Sequence, residues 1–275
     1  MAGTRRRSTT THLLRVAESA TATGVAGALR NAGCVFAEDE ARLLVNAAST
    51  PDDLAAMVDS RVSGAPLEHI LGWVEFAGMR IGVDPGLFVP RRRTEVLVRE
   101  AAALVGEGSV VVELCCGVGA VATAIASRVD GITVYAGDVD PAAVGCAARN
   151  LARCGGHAYV GDLFDAMPES LRGRIDLVVA NAPYVPTEAI TGMPREAREY
   201  ETLVSLDGGP DGVGVHRRIA ADAPEWLAPG GHLLIETSER QAALTSETFV
   251  RHGLTASVVR ADDVDGTAVV GSALA

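Results

Sequence analysis

The chain has 275 residues, 48% of them apolar, and a net charge of -11, enough to bury a sizeable core in one large or two modest domains. All 24 basic residues are arginine, which excludes Schiff-base, P-loop and kinase-type lysine chemistry, and the acidic balance argues against a broad nucleic-acid footprint. The five cysteines form no Cys-x-x-Cys pair and the six histidines are scattered, so reduced thiols are expected and no metal site. There is no run of eighteen apolar residues and no apolar stretch in the first twelve, so a cytoplasmic protein without a membrane anchor is expected.

In chain order, residues 1–11 are expected as a disordered tail and 12–65 as a helical domain. Leu13, Leu14 and Ala17, then Val25 and Leu29, keep apolar residues three and four apart, Gly33 marks a stop, and Glu38 to Ala48 carries Leu43, Leu44 and Val45 after an acidic start. Thr50-Pro51-Asp52-Asp53 reads as a helix start: Thr as N-cap, Pro at the first helical position, acids in the first turn. Such a module serves either packing or oligomerisation, or else substrate recognition.

Residues 66–90 change period. Trp73 to Phe76 and Met79 to Val83, joined by Ala77-Gly78, predict a hairpin linking two domains. Pro90 to Glu95 then opens a helix reaching Val105, and its Arg91, Arg92 and Arg93 are either an anion grip or a solvated helix start.

From 91 to 275 the pattern alternates strand and helix, predicting a doubly wound, mostly parallel sheet. Ser109 to Leu114 is its first strand. Cys115-Cys116-Gly117-Val118-Gly119 follows, then a helix from Ala120 to Val129 and a second strand, Ile132 to Ala136, ending at Asp138. The glycines let the backbone turn tightly beside a helix N-terminus, and an acid about twenty positions on suits ribose hydroxyls. A dinucleotide and S-adenosylmethionine both fit this loop, although Thr123 stands where a third glycine would belong and Glu113 closes the first strand. Tyr159 to Phe164 is a third strand meeting Asp162, which either reads an adenine amino group or caps a helix. Asp176 to Ala180 is a fourth, buried strand running into Asn181-Ala182-Pro183-Tyr184, a polar, stiffened turn at the strand's carboxyl end, where open α/β sheets bind ligands. Leu227 to Glu236, Thr255 to Arg260 and Ala268 to Leu274 supply three more strands.

Glu113 to Gly119, Gly161 to Phe164, Asn181 to Tyr184, Leu206-Asp207-Gly208-Gly209-Pro210-Asp211-Gly212 and Pro229 to His232 occur, in that order and together with Pro66 to Gly72, as in HemK-type protein-(glutamine N5) methyltransferases. The chain resembles that family over most of its length. The resemblance implies an α/β class I S-adenosylmethionine-dependent methyltransferase fold with a small N-terminal helical domain and a hairpin linker. It implies S-adenosyl-L-methionine as methyl donor, S-adenosyl-L-homocysteine as product, and a glutamine side chain in a protein as acceptor. The best-known acceptor of such families is the Gly-Gly-Gln loop of peptide-chain release factors. Carried over by position, Glu113, Cys115, Cys116, Gly117, Val118 and Gly119 line the cofactor. Asp138 holds the ribose, Asp162 and Leu163 flank the adenine, Asn181 borders the cofactor, and Asn181, Ala182, Pro183 and Tyr184 carry the acceptor amide. A monomer is expected rather than an obligate oligomer, with no direct nucleic-acid contact.

The departures fall mostly on the acceptor side. Ala182 stands for the family's proline, Arg92 and Arg93 for a proline and an acid, Glu201-Thr202-Leu203 for Glu-Pro-Arg, and Cys115 for a glycine. They mark a paralogous branch. The competing readings are an amino-methyltransferase acting on a nucleic-acid base, a catalytically silent cofactor-binding module, and a nicotinamide oxidoreductase.

Overall fold

The computed structural model describes residues 21–273. The expectations for 1–11, for Leu13, Leu14 and Ala17, and for Leu274 lie outside these residues. The chain divides into two compact units, Met1–Gly72 and Trp73–Ala275. Among the described residues no helix is long and apolar enough to cross a membrane.

The first unit is helical: α1 over residues 21–31, α2 (Ala37–Ala47), α3 (Pro51–Val62) and α4 (Leu67–Leu71). Its core is small, with Ala26, Leu29, Ala37, Ala41 and Leu44 packed against the partly buried Leu54, Met57, Leu67 and Ile70. Thr50 caps α3 as its sequence predicts, its hydroxyl accepting the Asp53 amide at 3.1 Å with Pro51 behind it. Gly33 takes φ +92° after α1, where a side chain would be strained. A buried carboxylate, Glu40, is satisfied by a two-pronged contact from Arg61 at 2.7 and 3.2 Å.

The second unit opens with the hairpin β1 (Trp73–Phe76) and β2 (Met79–Gly82). Ala77 and Gly78 both take positive φ, the turn geometry that matches the twist of two paired strands. Val74, Phe76 and Ile81 are buried. Asn150 of α7 (Pro141–Leu151) clasps Gly82, accepting from its N–H and donating to its carbonyl, both at 2.9 Å. The hairpin therefore packs on the second unit's own helices.

The seven-stranded sheet contains β3 (Val110–Leu114), β4 (Thr133–Asp138), β5 (His157–Val160), β6 (Ile175–Ala180), β7 (Leu227–Thr237), β8 (Ser257–Ala261) and β9 (Gly266–Ser272), in the order β5-β4-β3-β6-β7-β9-β8. The first five in this order are parallel; β9 runs antiparallel to both of its neighbours. The tight turn at Asp262–Asp265 brings the chain straight back, and an immediate return cannot be parallel. Alternation divides the core: Val111, Leu177, Val179 and Leu234 pack on one face, Val112, Leu114, Val178, Ala180 and Ile235 on the other, as a period of two requires. At β7 the pairing jumps from Ile175↔Leu227 to Leu177↔His232, so Ala228 to Gly231 bulge out of register, with Gly230 at φ +76°.

Helices α5 (Glu95–Leu104) and α6 (Ala120–Ala126) pack with α7 against the first face. After the short α8 (Arg195–Tyr200), the second face carries α9 (Gly214–Trp226) and α10 (Ala242–Arg251). The chain runs outward through β3, β4 and β5, then restarts on the other side of β3 at β6. That reversal opens a crevice at the carboxyl ends of β3 and β6.

Candidate active site

A cavity of about 790 Å³ fills this crevice, within the range of small-molecule sites. One wall comes from Glu113, Cys115, Cys116, Gly117, Val118, Asp138, Asp162 and Leu163, the other from Asn181, Ala182, Pro183 and Tyr184. Of the residues expected at the site, only Gly119 is not in the lining. A Cβ there would stand 3.0 Å from the Cβ of Ala147, and its φ is +70°, so Gly119 serves the close approach of α6 to α7.

The loop after β3 turns through left-handed conformations at Cys115 (φ +52°), Gly117 (φ +51°) and Gly119. For Cys115, where the resemblance places a glycine, this conformation costs roughly 1 kcal/mol or more. Asp138, at the end of β4, holds the loop: one carboxylate oxygen accepts the Gly117 amide at 2.8 Å, the other the Asp140 amide at 3.0 Å. Burial pushes its pKa up against these contacts. Glu113 is 2% exposed and accepts the Ala122 amide at 2.8 Å, near the start of α6. Burial raises its pKa to about 8.

Asp162 makes no side-chain cap, which sets aside one of the two roles its sequence allows. Its carboxylate instead meets Arg218 of α9 at 2.7 Å, both groups half exposed at the cavity edge. Leu163, 7% exposed with φ +52°, presents an apolar surface beside it.

On the acceptor wall, Asn181 donates from Nδ2 to Thr94 Oγ1 at 3.3 Å. Using the donor end this way leaves Oδ1 as the side chain's acceptor for a cavity occupant. Ala182 is buried. The Tyr184 hydroxyl donates to Glu236 Oε1 at 3.0 Å, and Glu236, at the end of β7, is 1% exposed. Arg93 Nε lies 3.4 Å from the same carboxylate and the guanidinium sits over the Tyr184 ring, 5.9 Å from its centre. Burial pushes Glu236 up, opposed by the Thr94 hydroxyl, Arg93 and Tyr184. Burial and the neighbouring Glu236 push the Tyr184 phenol up as well.

Sequence reasoning missed Thr94, Glu236 and the pairing of Arg91 with Glu201, whose side chain is 1% exposed. The three arginines are thus neither a bare anion grip nor a plain solvated helix start, since Arg91 and Arg93 each pair with a buried carboxylate. The signal was the pair of departures at 92 and 93 and the altered Glu201-Thr202-Leu203 segment.

The sheet order and the cavity at the switch point fit the class I S-adenosylmethionine-dependent methyltransferase fold. The methyltransferase small domain family matches residues 81–197. A release factor glutamine methyltransferase from Mycolicibacterium smegmatis is 35% identical over 270 residues, covering 93% of this chain and 95% of that protein. A 4-amino-L-phenylalanine/4-methylamino-L-phenylalanine methyltransferase from Streptomyces pristinaespiralis is 38% identical over 199 residues, 70% of this chain and 68% of that one. In fold, a methyltransferase from Pyrococcus furiosus aligns with a TM-score of 0.55 at 16% identity, over 72% of this chain and 90% of that one. The chain belongs to the release factor glutamine methyltransferase family.

Proposed function

We propose that the protein transfers a methyl group from S-adenosylmethionine to the side-chain amide nitrogen of a glutamine in a protein acceptor. The acceptor is a peptide-chain release factor, met by a monomeric enzyme in the cytoplasm. The observation that carries this reading is Asn181, whose Nδ2 is committed to Thr94 so that a carbonyl oxygen is presented at the edge of the cavity.

The donor-side residues fit the cofactor. Asp138 lines the cavity with a carboxylate whose burial is costly, a group that gains from hydroxyl partners. Leu163 and Val139 offer apolar walls for a base, and the Cys115–Val118 loop presents backbone to the amino-acid end. Bound there, S-adenosylmethionine supplies a methyl group activated by its sulfonium.

An amide nitrogen is a weak nucleophile because its lone pair is delocalised into the carbonyl. The chain's contribution is therefore orientation and charge complementarity. Asn181 Oδ1 accepts one amide hydrogen and the Ala182 carbonyl the other, pointing the lone pair at the methyl group. The Tyr184 ring lies flat against the acceptor, anchored by its hydroxyl on Glu236. No strong base is required before transfer, because the methylated, cationic amide sheds its proton readily.

The likeness to an aromatic-amine methyltransferase, together with the altered acceptor side at Ala182, Arg92 and Arg93, favours a second reading. In it the same two carbonyl acceptors hold the amino group of a small amino-acid substrate. Labelled S-adenosylmethionine offered with a purified release factor, and separately with 4-aminophenylalanine, decides between them. Asn181→Ala abolishes transfer to the true acceptor while cofactor affinity stays within a few-fold; undiminished transfer removes Asn181 from its role.

A further inference from the structure

Gln241 touches no part of the cavity, yet it is 8% exposed and fully engaged. Its Nε2 donates to the Tyr184 carbonyl at 2.8 Å and to the Asp211 carbonyl at 3.1 Å, and its Oε1 accepts from Ser238. One side-chain amide thus ties the acceptor turn to the 206–212 segment and to the turn leading into α10. The 206–212 segment lies along the acceptor turn as a strap: Val185 N–H donates to the Leu206 carbonyl at 3.0 Å, and Gly208 N–H to the Val185 carbonyl at 2.9 Å. Two glycines make this approach possible. A Cβ on Gly208 would stand 2.7 Å from the Pro183 carbonyl oxygen, and one on Gly212 only 2.3 Å from that of Tyr184.

We infer that Gln241 is a positioning residue for methyl transfer. It holds the Tyr184 carbonyl and the strap so that Asn181 and the Ala182 carbonyl keep the geometry that a proline at 182 would otherwise impose. The inference rests on the amide-methylating reading. Alanine leaves φ at 182 free where proline would fix it, and Pro183 restrains residue 182 only from its far side. The restraint the turn lacks within itself is supplied from outside, through hydrogen bonds to its last carbonyl.

The test is Gln241→Met, equal in length and without donors. Its kcat falls about tenfold, as expected for loss of two ordering hydrogen bonds, while acceptor KM and cofactor affinity stay within about threefold. In the ligand-free protein, hydrogen exchange at Val185 and Gly208 accelerates. Adding Ala182→Pro restores most of kcat, which a merely structural role for Gln241 would not predict. Unchanged kcat, unchanged exchange, or no recovery with proline overturns the inference. Should Gln241→Met not fold, Gln241→Glu keeps the bulk: ionised, it opposes two carbonyls; protonated, it donates to one. Its activity relative to the parent protein then rises as pH falls, and a flat ratio overturns the inference. If the parent protein methylates no glutamine, the amide reading fails, whereas the exchange measurement still judges Gln241.

Discussion

Tyr184→Phe separates the two jobs given to that side chain. The ring that faces the acceptor remains, and the hydroxyl that anchors it on Glu236 is lost. Glu236 is 1% exposed and accepts the hydroxyl at 3.0 Å, and a hydrogen bond to a charged group contributes about 1.5–3 kcal/mol. Arg93, 3.4 Å away and half exposed, compensates in part, so the expected loss is about 2 kcal/mol, a fall in Tm of about 4–8 °C for a domain of this size. The pH dependence has a definite sign. Tyr184 helps to hold the Glu236 pKa down against burial, so the hydroxyl matters most where Glu236 is ionised. The variant's deficit is therefore largest at high pH and shrinks as Glu236 becomes protonated. Differential scanning fluorimetry across pH 5–9 reads this, alongside a kcat that falls less than in Asn181→Ala. An unchanged Tm, or a deficit that grows towards acid, would refute the anchoring argument.

Thr94→Val is nearly isosteric at a position 2% exposed and removes both the acceptor of the Asn181 Nδ2 hydrogen bond and a hydroxyl that helps hold the buried Glu236 carboxylate; the first loss is the one that reaches the acceptor amide. It lowers kcat by roughly three- to tenfold, the equivalent of one modest hydrogen bond, with cofactor affinity unchanged; steady-state kinetics and calorimetry check both. Glu113→Gln tests the buried carboxyl at the start of α6. The folded protein keeps this proton up to about pH 8, whereas the ordinary value is 4.5, so the folded state binds more protons between these limits and stability falls as pH rises through them. The Gln variant lacks that decline, and Tm measured from pH 5 to 9 in the ligand-free protein separates the two curves. His216, lowered to about 4 by burial from 6.5, acts in the opposite direction: its contribution is present above about pH 6.5 and is lost as pH falls towards 4. It does so equally in both proteins and cancels in the difference.

The strands and the turn at 181–184 were legible because continuous apolar runs such as Leu177 to Ala180 end in residues with fixed backbone preferences. Thr50-Pro51-Asp52-Asp53 and Ala77-Gly78 were legible for the same reason: capping and turn chemistry are local. What could not be read was the partner of each polar group. Glu236 meets Tyr184 across 52 positions and Asn181 meets Thr94 across 87, and no local pattern encodes such a pairing. A glycine that admits a ligand and one that admits a neighbouring helix look alike in sequence, and the approach of Gly119 to Ala147, 3.0 Å from where a Cβ would stand, has no local signal. Asp162 carries two readings in sequence, and its pairing with Arg218 across 56 positions is equally without a local pattern. The antiparallel β9 is set by the short return after β8, which strand periodicity does not encode.

The proposed methyl acceptor is a glutamine amide. It is tested most directly by incubating the protein with S-adenosylmethionine and an unmethylated release factor, then locating the added methyl group by peptide fragmentation. One methyl group is expected on the side-chain nitrogen of the Gly-Gly-Gln glutamine, absent when Asn181→Ala replaces the parent protein. A release factor left unmethylated by active protein, or a methyl group found on any other residue, would contradict it.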